Sequence, residues 1–424
     1  MTGIMPTTAD PATGHDAMVV GAGIVGVCSA LWLQRTGFRV TLIDRDPPGE
    51  GCSSGNAGNL GIASCVPNAV PGILSRVPRL LFDPAQPLSI RLSHFPKALP
   101  WFVRFARASG RERAERITAA RASLLARVFD AYAPLVAEAD AGDLIERTGW
   151  LAVYEKRDPL TGEAFEFEMR RRFGVEMTML SGDEAREMEP ALGPIASSAV
   201  YYPRNGRTVN PLRLTQVFAR HFVRSGGVLL RETARAISIG GDGRPRVVTD
   251  AGEHAADRLV LAAGVWSKSI AGGLGSRIPL EAERGYHTMM PKPGVTVRRP
   301  LAFADRGVAI APMEHGLRVS GIAEFAHADA APDYRHADRV LGNACDLIPG
   351  LKTDGATRWM GCRPATPDSL PVIGRSPRHS AVLFAFGHGH LGLTFAAVTG
   401  QLIAEMAAGR PTSVDISPFR ADRF

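Results

Sequence analysis

The stretch AMVVGAGIVG, residues 17–26, sets the fold of this chain. Four apolar residues, typical of a short buried strand, run directly into Gly21, Gly23 and Gly26, which form the pattern GxGxxG. The first glycine allows a tight turn, the second lets the backbone approach a pyrophosphate, and the third lets helix and strand pack closely. The free N–H groups of a helix that follows favour phosphate. The stretch therefore predicts a dinucleotide-binding site.

The next residues supply the other parts of such a site. Residues 24–36 have the pattern of a helix ended by Gly37, and residues 38–43 that of a second strand closed by Asp44. A carboxylate about 20 residues beyond the glycines accepts hydrogen bonds from a ribose diol. An acid at this position disfavours a 2′-phosphate. The pattern by itself leaves FAD and NAD open.

A second glycine-rich segment, GCSSGNAGNL, occupies residues 51–60. Its small side chains would let main-chain N–H groups approach a second large planar ligand, which favours a flavin. A flexible glycine loop is the alternative interpretation of the same residues.

Composition limits the remaining classes. A chain of 424 residues predicts two to three domains, and 45% apolar residues exclude general disorder. The net charge of +7 is attributed to solvated arginines from a composition bias, with attraction to an anionic membrane surface or an acidic partner as the alternative. No basic run interleaved with aromatic residues indicates nucleic acid. Five cysteines without CxxC spacing fit a reducing cytoplasm and no metal site. No apolar stretch is long enough to span a membrane, and residues 1–15 show no secretory signal.

Four segments in a fixed order carry a resemblance to a known family. SSGNAG (53–58) is followed by LVLAAGVWS (259–267), GCRPATPDSLPVIG (361–374) and FGHGHLGLT (386–394). Together they resemble the FAD-dependent amino-acid oxidase superfamily, and RPxxxDxxPxxG followed by GHxxxG is the most specific of these signals. With ERGYH (283–287), the chain is most similar to the small subunit of bacterial D-amino-acid dehydrogenase and related hydroxyproline-type dehydrogenases.

The resemblance implies a fold and a division into domains. We expect an α/β, Rossmann-like FAD-binding domain interwoven with an α+β, mixed-sheet substrate-binding domain, and a site between them. The FAD-binding domain would comprise residues 17–70, 195–275 and 355–424, the substrate-binding domain residues 71–194 and 276–354, and a flexible N-terminus residues 1–16.

The resemblance also assigns the cofactor contacts. The main chain near Arg235 would meet the adenine, and the N-terminus of the last helix would point at the flavin O2 and N1, where negative charge develops on reduction. The expected FAD-binding residues are Gly21, Gly23, Ile24, Val25, Gly26, Asp44, Arg45, Cys52, Ser53, Ser54, Asn56, Ala57, Gly58, Arg235, Ala263, Gly264, His388, Gly389, His390, Leu391, Gly392, Leu393 and Thr394.

Four residues are candidates for binding the substrate. Arg363 would hold a carboxylate through its planar guanidinium fork, unless it forms an ion pair with Asp368 instead. His390 falls where some relatives carry a second basic substrate contact, and packing is its alternative role. His287 and Tyr286 would line the pocket from the substrate-binding domain.

Two segments have patterns without a family motif. Residues 71–105 combine six prolines with many apolar residues. They predict either an arm packed over the substrate domain or an apolar surface that docks on a bilayer or a partner subunit. Residues 111–140 predict one long helix with a kink at Pro134.

The function expected from these features is oxidative deamination of D-amino acids, or of secondary amino acids such as D-proline or hydroxyproline. Hydride would pass from the α-carbon to the flavin N5, leaving an imino acid that water hydrolyses to an oxo acid. Oxygen, a quinone or another acceptor would reoxidise the flavin. The alternatives are a flavoprotein subunit that needs a partner for turnover, an FAD amine oxidase for a non-carboxylate amine, and an NAD enzyme. The expected location is the cytoplasm, with peripheral attachment to the inner membrane as a variant.

Overall fold

A computed structural model describes residues 14–82, 88–156, 158–160 and 163–424, with the backbone alone at residues 78–82. Most of the predicted flexible N-terminus lies outside these residues. The helices, in chain order, are α1 (Ile24–Arg35), α2 (Ile73–Phe82), α3 (Phe95–Ala108), α4 (Arg111–Leu125), α5 (Val128–Glu138), α6 (Ala164–Arg172), α7 (Gly182–Met188), α8 (Pro211–Arg224), α9 (Ser267–Gly273), α10 (Arg335–Leu347) and α11 (Gly392–Ala407).

The described residues also form 21 strands. In chain order they are β1 (Asp16–Val20), β2 (Arg39–Asp44), β3 (Asn59–Leu60), β4 (Leu88–Ile90), β5 (Ile145–Glu146), β6 (Trp150–Tyr154), β7 (Thr178–Ser181), β8 (Ser198–Tyr202), β9 (Gly206–Thr208), β10 (Val228–Arg231), β11 (Ala234–Ile239), β12 (Pro245–Thr249), β13 (Glu253–Ala255), β14 (Arg258–Leu261), β15 (Glu281–Met290), β16 (Leu301–Phe303), β17 (Val308–Met313), β18 (Gly316–Phe325), β19 (Thr357–Ala365), β20 (Val372–Arg375) and β21 (Val382–Phe386).

The first sheet has the strand order β10-β2-β1-β14-β21-β20 and is parallel except at β20. Because side chains alternate along a strand, Val19 and Leu42 face one core, whereas Val20 and Ile43 face another. Helices α1 and α11 pack against each other over the first core. A small sheet of β11, β12 and β13 covers the second. This layered arrangement confirms the predicted Rossmann-like fold.

A second, mixed sheet follows the order β19-β15-β18-β17-β16-β6-β8-β7, with β4 added beside β18. Helix α10 packs on β15, β17 and β18 and closes a separate hydrophobic core. The mixed sheet expected from the sequence is therefore present. Its strands β15 and β19 pair over nine residues, and they carry both ERGYH and the arginine of the RPxxxD motif.

Some elements lie across the predicted domain boundaries. Strands β8 and β19 fall inside segments assigned to the FAD-binding domain, yet they hydrogen-bond within the mixed sheet. Conversely, α4 and α5, assigned to the substrate-binding domain, bury Ile117, Leu124 and Leu135 in the core beside α1. Strand pairing and burial join segments that are distant in the sequence. They therefore assign these elements to a different domain from the one that their position in the sequence suggests.

The prediction of one long helix over residues 111–140, kinked at Pro134, is wrong about where the helix is interrupted. The structure has two helices, α4 and α5, separated at Ala126 and Arg127, where the Arg127 N–H bonds to the Leu124 carbonyl three residues back. Pro134 lies inside α5. The turn lets Leu125 and Val128 both face the core that holds Leu124. Packing of these residues, rather than the proline, determines where the chain turns.

Candidate active site

A cavity of about 730 Å³ lies where the two sheets meet. The glycine-rich turn after β1, the end of β2, the loop 51–57 and the start of α11 border it from the parallel sheet. Gly285, Trp359 and Arg363 border it from the mixed sheet. Segments that are far apart in the sequence therefore form one site.

The GxGxxG turn shows two kinds of glycine. Gly21 has φ of +106°, and a Cβ there would lie 2.4 Å from the Ala262 carbonyl oxygen. A Cβ on Gly26 would lie 1.8 Å from the Gly21 carbonyl oxygen, so both positions are closed by backbone. A Cβ on Gly23 would meet only Ser53 Oγ, at 3.3 Å, and Gly23 borders the cavity. Gly21 and Gly26 therefore serve the turn, and Gly23 leaves room for a ligand.

Asp44 closes β2 at the edge of the cavity. Its Oδ2 accepts a hydrogen bond from the Ala22 N–H at 2.6 Å, and its Oδ1 accepts one from the Asp46 N–H at 3.0 Å. The carboxylate thus ties β2 to the glycine turn as well as facing the predicted ribose position. Arg45 beside it stacks on the Trp266 ring, 4.4 Å from the centroid.

The loop of small residues is fixed from both sides. The Ile24 N–H donates to Ser53 Oγ at 3.0 Å, which joins the loop to the start of α1. Arg318 donates to the Ser54 carbonyl at 2.9 Å from the mixed sheet. A Cβ on Gly55 would lie 2.0 Å from the Trp359 ring. These contacts do not support the alternative of a flexible glycine loop.

The segment between β21 and α11 forms another wall of the cavity, with every residue from His388 to Thr394 bordering it. Thr394 Oγ1 donates to the Asn59 carbonyl at 3.1 Å and holds the helix start against the small-residue loop. His388 is buried with its Nε2 3.0 Å from Thr399 Oγ1. Burial lowers the pKa of His388 to about 3, so this imidazole is neutral.

Three charged or titratable side chains meet at the mixed-sheet side. Glu283 and Arg363 are directly opposite each other in the β15–β19 pair, and Arg363 Nη1 donates to Glu283 Oε1 at 3.0 Å. His390 Nε2 lies 2.5 Å from the same oxygen. Burial alone would raise the pKa of Glu283, but His390 and Arg363 outweigh it and lower the pKa to about 2. Glu283 is therefore an anion between two basic groups.

The Arg363 fork has a defined orientation. Its Nη1 also donates to the Ile322 carbonyl at 3.0 Å. Ile322 has φ of +63°, which is strained for a β-branched residue and lies at a bulge between β15 and β18. A Cβ on Gly285 would lie 2.1 Å from Arg363 Nη2, so the glycine makes room for the guanidinium. The bulge at Ile322, the absence of a side chain at Gly285 and the carboxylate of Glu283 together set the orientation of the guanidinium.

Several predicted residues occupy other places. Arg363 does not pair with Asp368, because Asp368 binds Arg423 Nε at 2.8 Å. Tyr286 borders the cavity, but its hydroxyl donates to Glu324 at 2.6 Å and its ring packs in the core on the other face of the sheet. His287 lies outside the lining, stacked on Trp359 with a centroid distance of 4.9 Å. Of the predicted cofactor residues, Gly26, Ser54 and Gly58 also lie outside the lining.

Glu283 and Arg121 are among the charged residues of the site that sequence reasoning missed. Glu283 was part of a quoted motif, but its partners are 80 and more residues away. Arg121 borders the cavity, is buried in α4, and donates to the Ser64 carbonyl at 2.6 Å. Burial lowers the pKa of Arg121 to about 10. Its spacing from Ile117 and Leu124 puts it on the apolar stripe of the helix, which is a signal that a sequence search could have used.

Comparison with known proteins identifies the class. A family model described as FAD dependent oxidoreductase (DAO) matches residues 16–406. The chain is 37% identical to a D-amino-acid oxidase of Bradyrhizobium diazoefficiens over 97% of this chain and 99% of the relative. It is 34% identical to D-amino acid dehydrogenase 2 of Ralstonia nicotianae over 96% and 99%, respectively.

Solved structures share the fold at lower identity. The structure of glycine oxidase from Geobacillus kaustophilus matches with a TM-score of 0.75 and 20% identity, covering 97% of this chain and 99% of that one. L-proline dehydrogenase from P. horikoshii matches with a TM-score of 0.74 and 20% identity, covering 97% and 98%.

Proposed function

The chain belongs to the family of FAD-dependent oxidoreductases, and from that premise we propose that it oxidises the amino group of D-amino acids. The observation that carries the proposal is the aimed guanidinium of Arg363 at the cavity, because a planar fork recognises a carboxylate. Two relatives of 34–37% identity, matched over nearly their whole length, are named for D-amino acids. The side chain that the substrate carries is left open.

The residues present fit FAD. No backbone blocks the space next to Gly23, where a Cβ would meet only Ser53 Oγ. The N-terminus of α1 borders the cavity, and so does Asp44 at the end of β2. Ala263 and Gly264 after β14, together with Arg235 on β11, extend the same lining. FAD held there supplies the acceptor for the hydride from the α-carbon of the substrate.

The protein's own part is to bind and orient. Within the described residues, Arg363 Nη1 is engaged by Glu283 and Ile322, and no hydrogen bond engages Nε or Nη2. That edge of the fork is free for a substrate carboxylate. Two-point binding of this kind fixes the α-carbon in one orientation, which is the main requirement of the reaction. Arg363 also argues against a non-carboxylate amine as substrate.

Anaerobic mixing with D- and L-amino acids tests the proposal. We expect D-amino acids, including D-proline, to bleach the flavin absorbance and to yield an oxo or imino acid, with L-enantiomers much slower. Bleaching by decarboxylated amines in place of amino acids would support an amine oxidase. A protein that releases no FAD on acid treatment would overturn the proposal. Reoxidation by air, compared with a quinone or dye, then separates oxidase from dehydrogenase.

The structure describes residues 71–82 and 88–105 of the segment 71–105, and residues 88–105 have two different sides. Trp101 is buried, donates from its indole N–H to the Ala365 carbonyl at 3.0 Å, and packs on Phe325. These contacts pack this part of the predicted arm on the mixed sheet. The opposite side exposes a run of large apolar residues, namely Leu92, Phe95, Leu99 and Val103.

We propose that this exposed side attaches the protein to an anionic bilayer. Lys97, Arg104 and Arg107 are exposed on the same helix, α3, which has no acidic residue. An apolar stripe flanked by basic residues is typical of helices that lie in the surface of anionic membranes. No helix among the described residues is long and apolar enough to cross a bilayer. Cytoplasmic location stays a prediction of the sequence.

Vesicle binding checks this attachment. The protein should sediment with vesicles containing anionic lipid, and high salt should release it, because the basic residues act through screened charges. Leu99→Glu should weaken binding at least roughly tenfold while flavin bleaching by the substrate stays unchanged, since the exposed Leu99 is not part of the cavity lining. Equal binding to neutral vesicles, or binding unaffected by Leu99→Glu, would contradict it. Concentration-dependent dimers that the same change disrupts would point to a partner subunit instead.

A further inference from the structure

His390 occupies a position suited to a base. Its imidazole borders the cavity and its side chain is 47% exposed, whereas the side chain of Glu283 behind it is 6% exposed. The Nε2–Oε1 distance of 2.5 Å joins the ring to a carboxylate that also accepts a hydrogen bond from Arg363. The ring is thus supported on its buried side and open on the side of the cavity.

The tautomer of His390 follows from these contacts. Glu283 is ionised, because two basic groups share its Oε1, and it has no proton to donate. The hydrogen in the short contact therefore belongs to His390 Nε2. In the neutral ring the lone pair then lies on Nδ1.

We propose that His390 Nδ1, with its ring held by Glu283, accepts the proton of the substrate ammonium. The inference rests on the proposed function, since it requires an amino-acid substrate. An amino acid near neutral pH is a zwitterion, and its ammonium has no lone pair to assist loss of hydride from the α-carbon. An N–H bond of the ammonium breaks and an N–H bond forms at Nδ1. The amine becomes neutral and the imidazole becomes a cation. The step is a proton transfer, in which nothing is oxidised or reduced.

The charges of the site favour this transfer. A bound substrate carboxylate next to Arg363 brings a second anion close to Glu283. A proton placed on His390 stays between these anions and turns the contact of a neutral ring with the Glu283 carboxylate into an ion pair. The net charge of the buried site stays the same during the transfer, so no charge has to be desolvated.

The other titratable groups around His390 do not compete for this role. His388 is buried against Thr399. Cys52 borders the same cavity as a neutral thiol, because burial raises its pKa to about 11, and burial also raises the pKa of Cys362. The cations that border this side are Arg363 and Arg121, and Glu283 is the anion in contact with both Arg363 and His390. Among the described residues of the cavity lining, His390 is the histidine with a ring nitrogen open to a ligand.

The pH dependence of kcat/KM for the best D-amino acid tests the proposal. In the wild type, kcat/KM should change little with pH above pH 7.5, because the enzyme accepts the zwitterion. In His390→Gln only substrate already carrying a neutral amine reacts. Its kcat/KM should rise tenfold per pH unit up to the pKa of the free amino acid's ammonium, with a ~10²-fold loss at pH 7.5 that nearly disappears at high pH.

Further variants distinguish a His390 that accepts a proton from a His390 that only contacts the substrate. Glu283→Gln removes the anion behind the ring and should lower kcat/KM at pH 7.5, with a loss that shrinks at high pH as in His390→Gln. His315→Gln, a change of an exposed histidine outside the cavity lining, should leave the profile unchanged. A loss in His390→Gln by the same factor at every pH would overturn the proposal. Failure of the proposed function looks different, because wild-type flavin would then not be bleached by any D-amino acid at any pH.

Calorimetry gives a second readout without turnover. A carboxylate that lacks an amine brings no proton of its own, so its binding near pH 7.5 should draw protons from the buffer onto His390. Measured in two buffers of different ionisation enthalpy, this uptake should be present in the wild type and absent in His390→Gln. Equal proton uptake in both proteins would also overturn the proposal.

Discussion

Arg363→Ala is expected to lower kcat/KM for a D-amino acid by ~10²-fold or more. Loss of a charge-assisted contact to the substrate carboxylate costs ~1.5–3 kcal/mol, or about 10- to 150-fold. The effect should lie at the upper end, because the change leaves the anion of Glu283 facing an incoming carboxylate. Steady-state kinetics measures the loss, and FAD content should stay near that of the wild type.

Three comparisons show whether the carboxylate is the cause. Arg363→Lys should recover part of the activity, since an ammonium keeps the charge but lacks the planar fork. The amide of the best substrate should be a poor substrate of the wild type and much less affected by Arg363→Ala. Adding Glu283→Gln to Arg363→Ala should relieve the repulsion between the Glu283 carboxylate and the carboxylate of the substrate. An equal loss for acid and amide would show that Arg363 supports the structure and does not bind the carboxylate.

Gly23→Ala should weaken FAD binding by ~10²-fold or more. The added methyl would meet only Ser53 Oγ, at 3.3 Å, so the chain can fold. It would project into the space where main-chain N–H groups approach the pyrophosphate, and each charge-assisted hydrogen bond lost there costs ~1.5–3 kcal/mol. Titration of the apoprotein with FAD measures the change, and the melting temperature of the apoprotein should be unaltered.

Gly26→Ala is the matched control for this prediction. Its Cβ would lie 1.8 Å from the Gly21 carbonyl oxygen, and backbone must move to admit it. We therefore expect a lower melting temperature of the apoprotein for Gly26→Ala. If Gly23→Ala destabilises the apoprotein to the same extent, or retains FAD like the wild type, Gly23 does not provide the approach to the cofactor.

Local patterns in the sequence correctly predicted the nucleotide-binding half. The order of apolar strand, GxGxxG, helix, strand and Asp44 is confirmed by β1, α1 and β2, with Asp44 as the last residue of β2. This success has a physical reason, because a tight turn, a helix start and a buried parallel strand each depend on neighbouring residues. The family motifs added the class of cofactor and pointed to Arg363.

The tertiary structure decided which partners these residues have. Glu283 and Arg363 meet because the β15–β19 register sets them opposite each other, and His390 reaches the same carboxylate from the turn just before α11. Strand register also turns the Tyr286 side chain to the other face of the sheet. No local pattern states which face of a strand borders a cavity when both faces are buried.

The sequence by itself determined the cofactor-binding fold and the family, and it predicted Arg363 as a carboxylate-binding residue. Only the tertiary structure decided that this arginine is paired with Glu283 instead of Asp368, and that Glu283 also holds His390. The physical reason is that hydrogen bonds and ion pairs are short-ranged. They act between atoms about 3 Å apart, and residues separated by 80 or more positions reach that distance only after the two sheets have formed and packed.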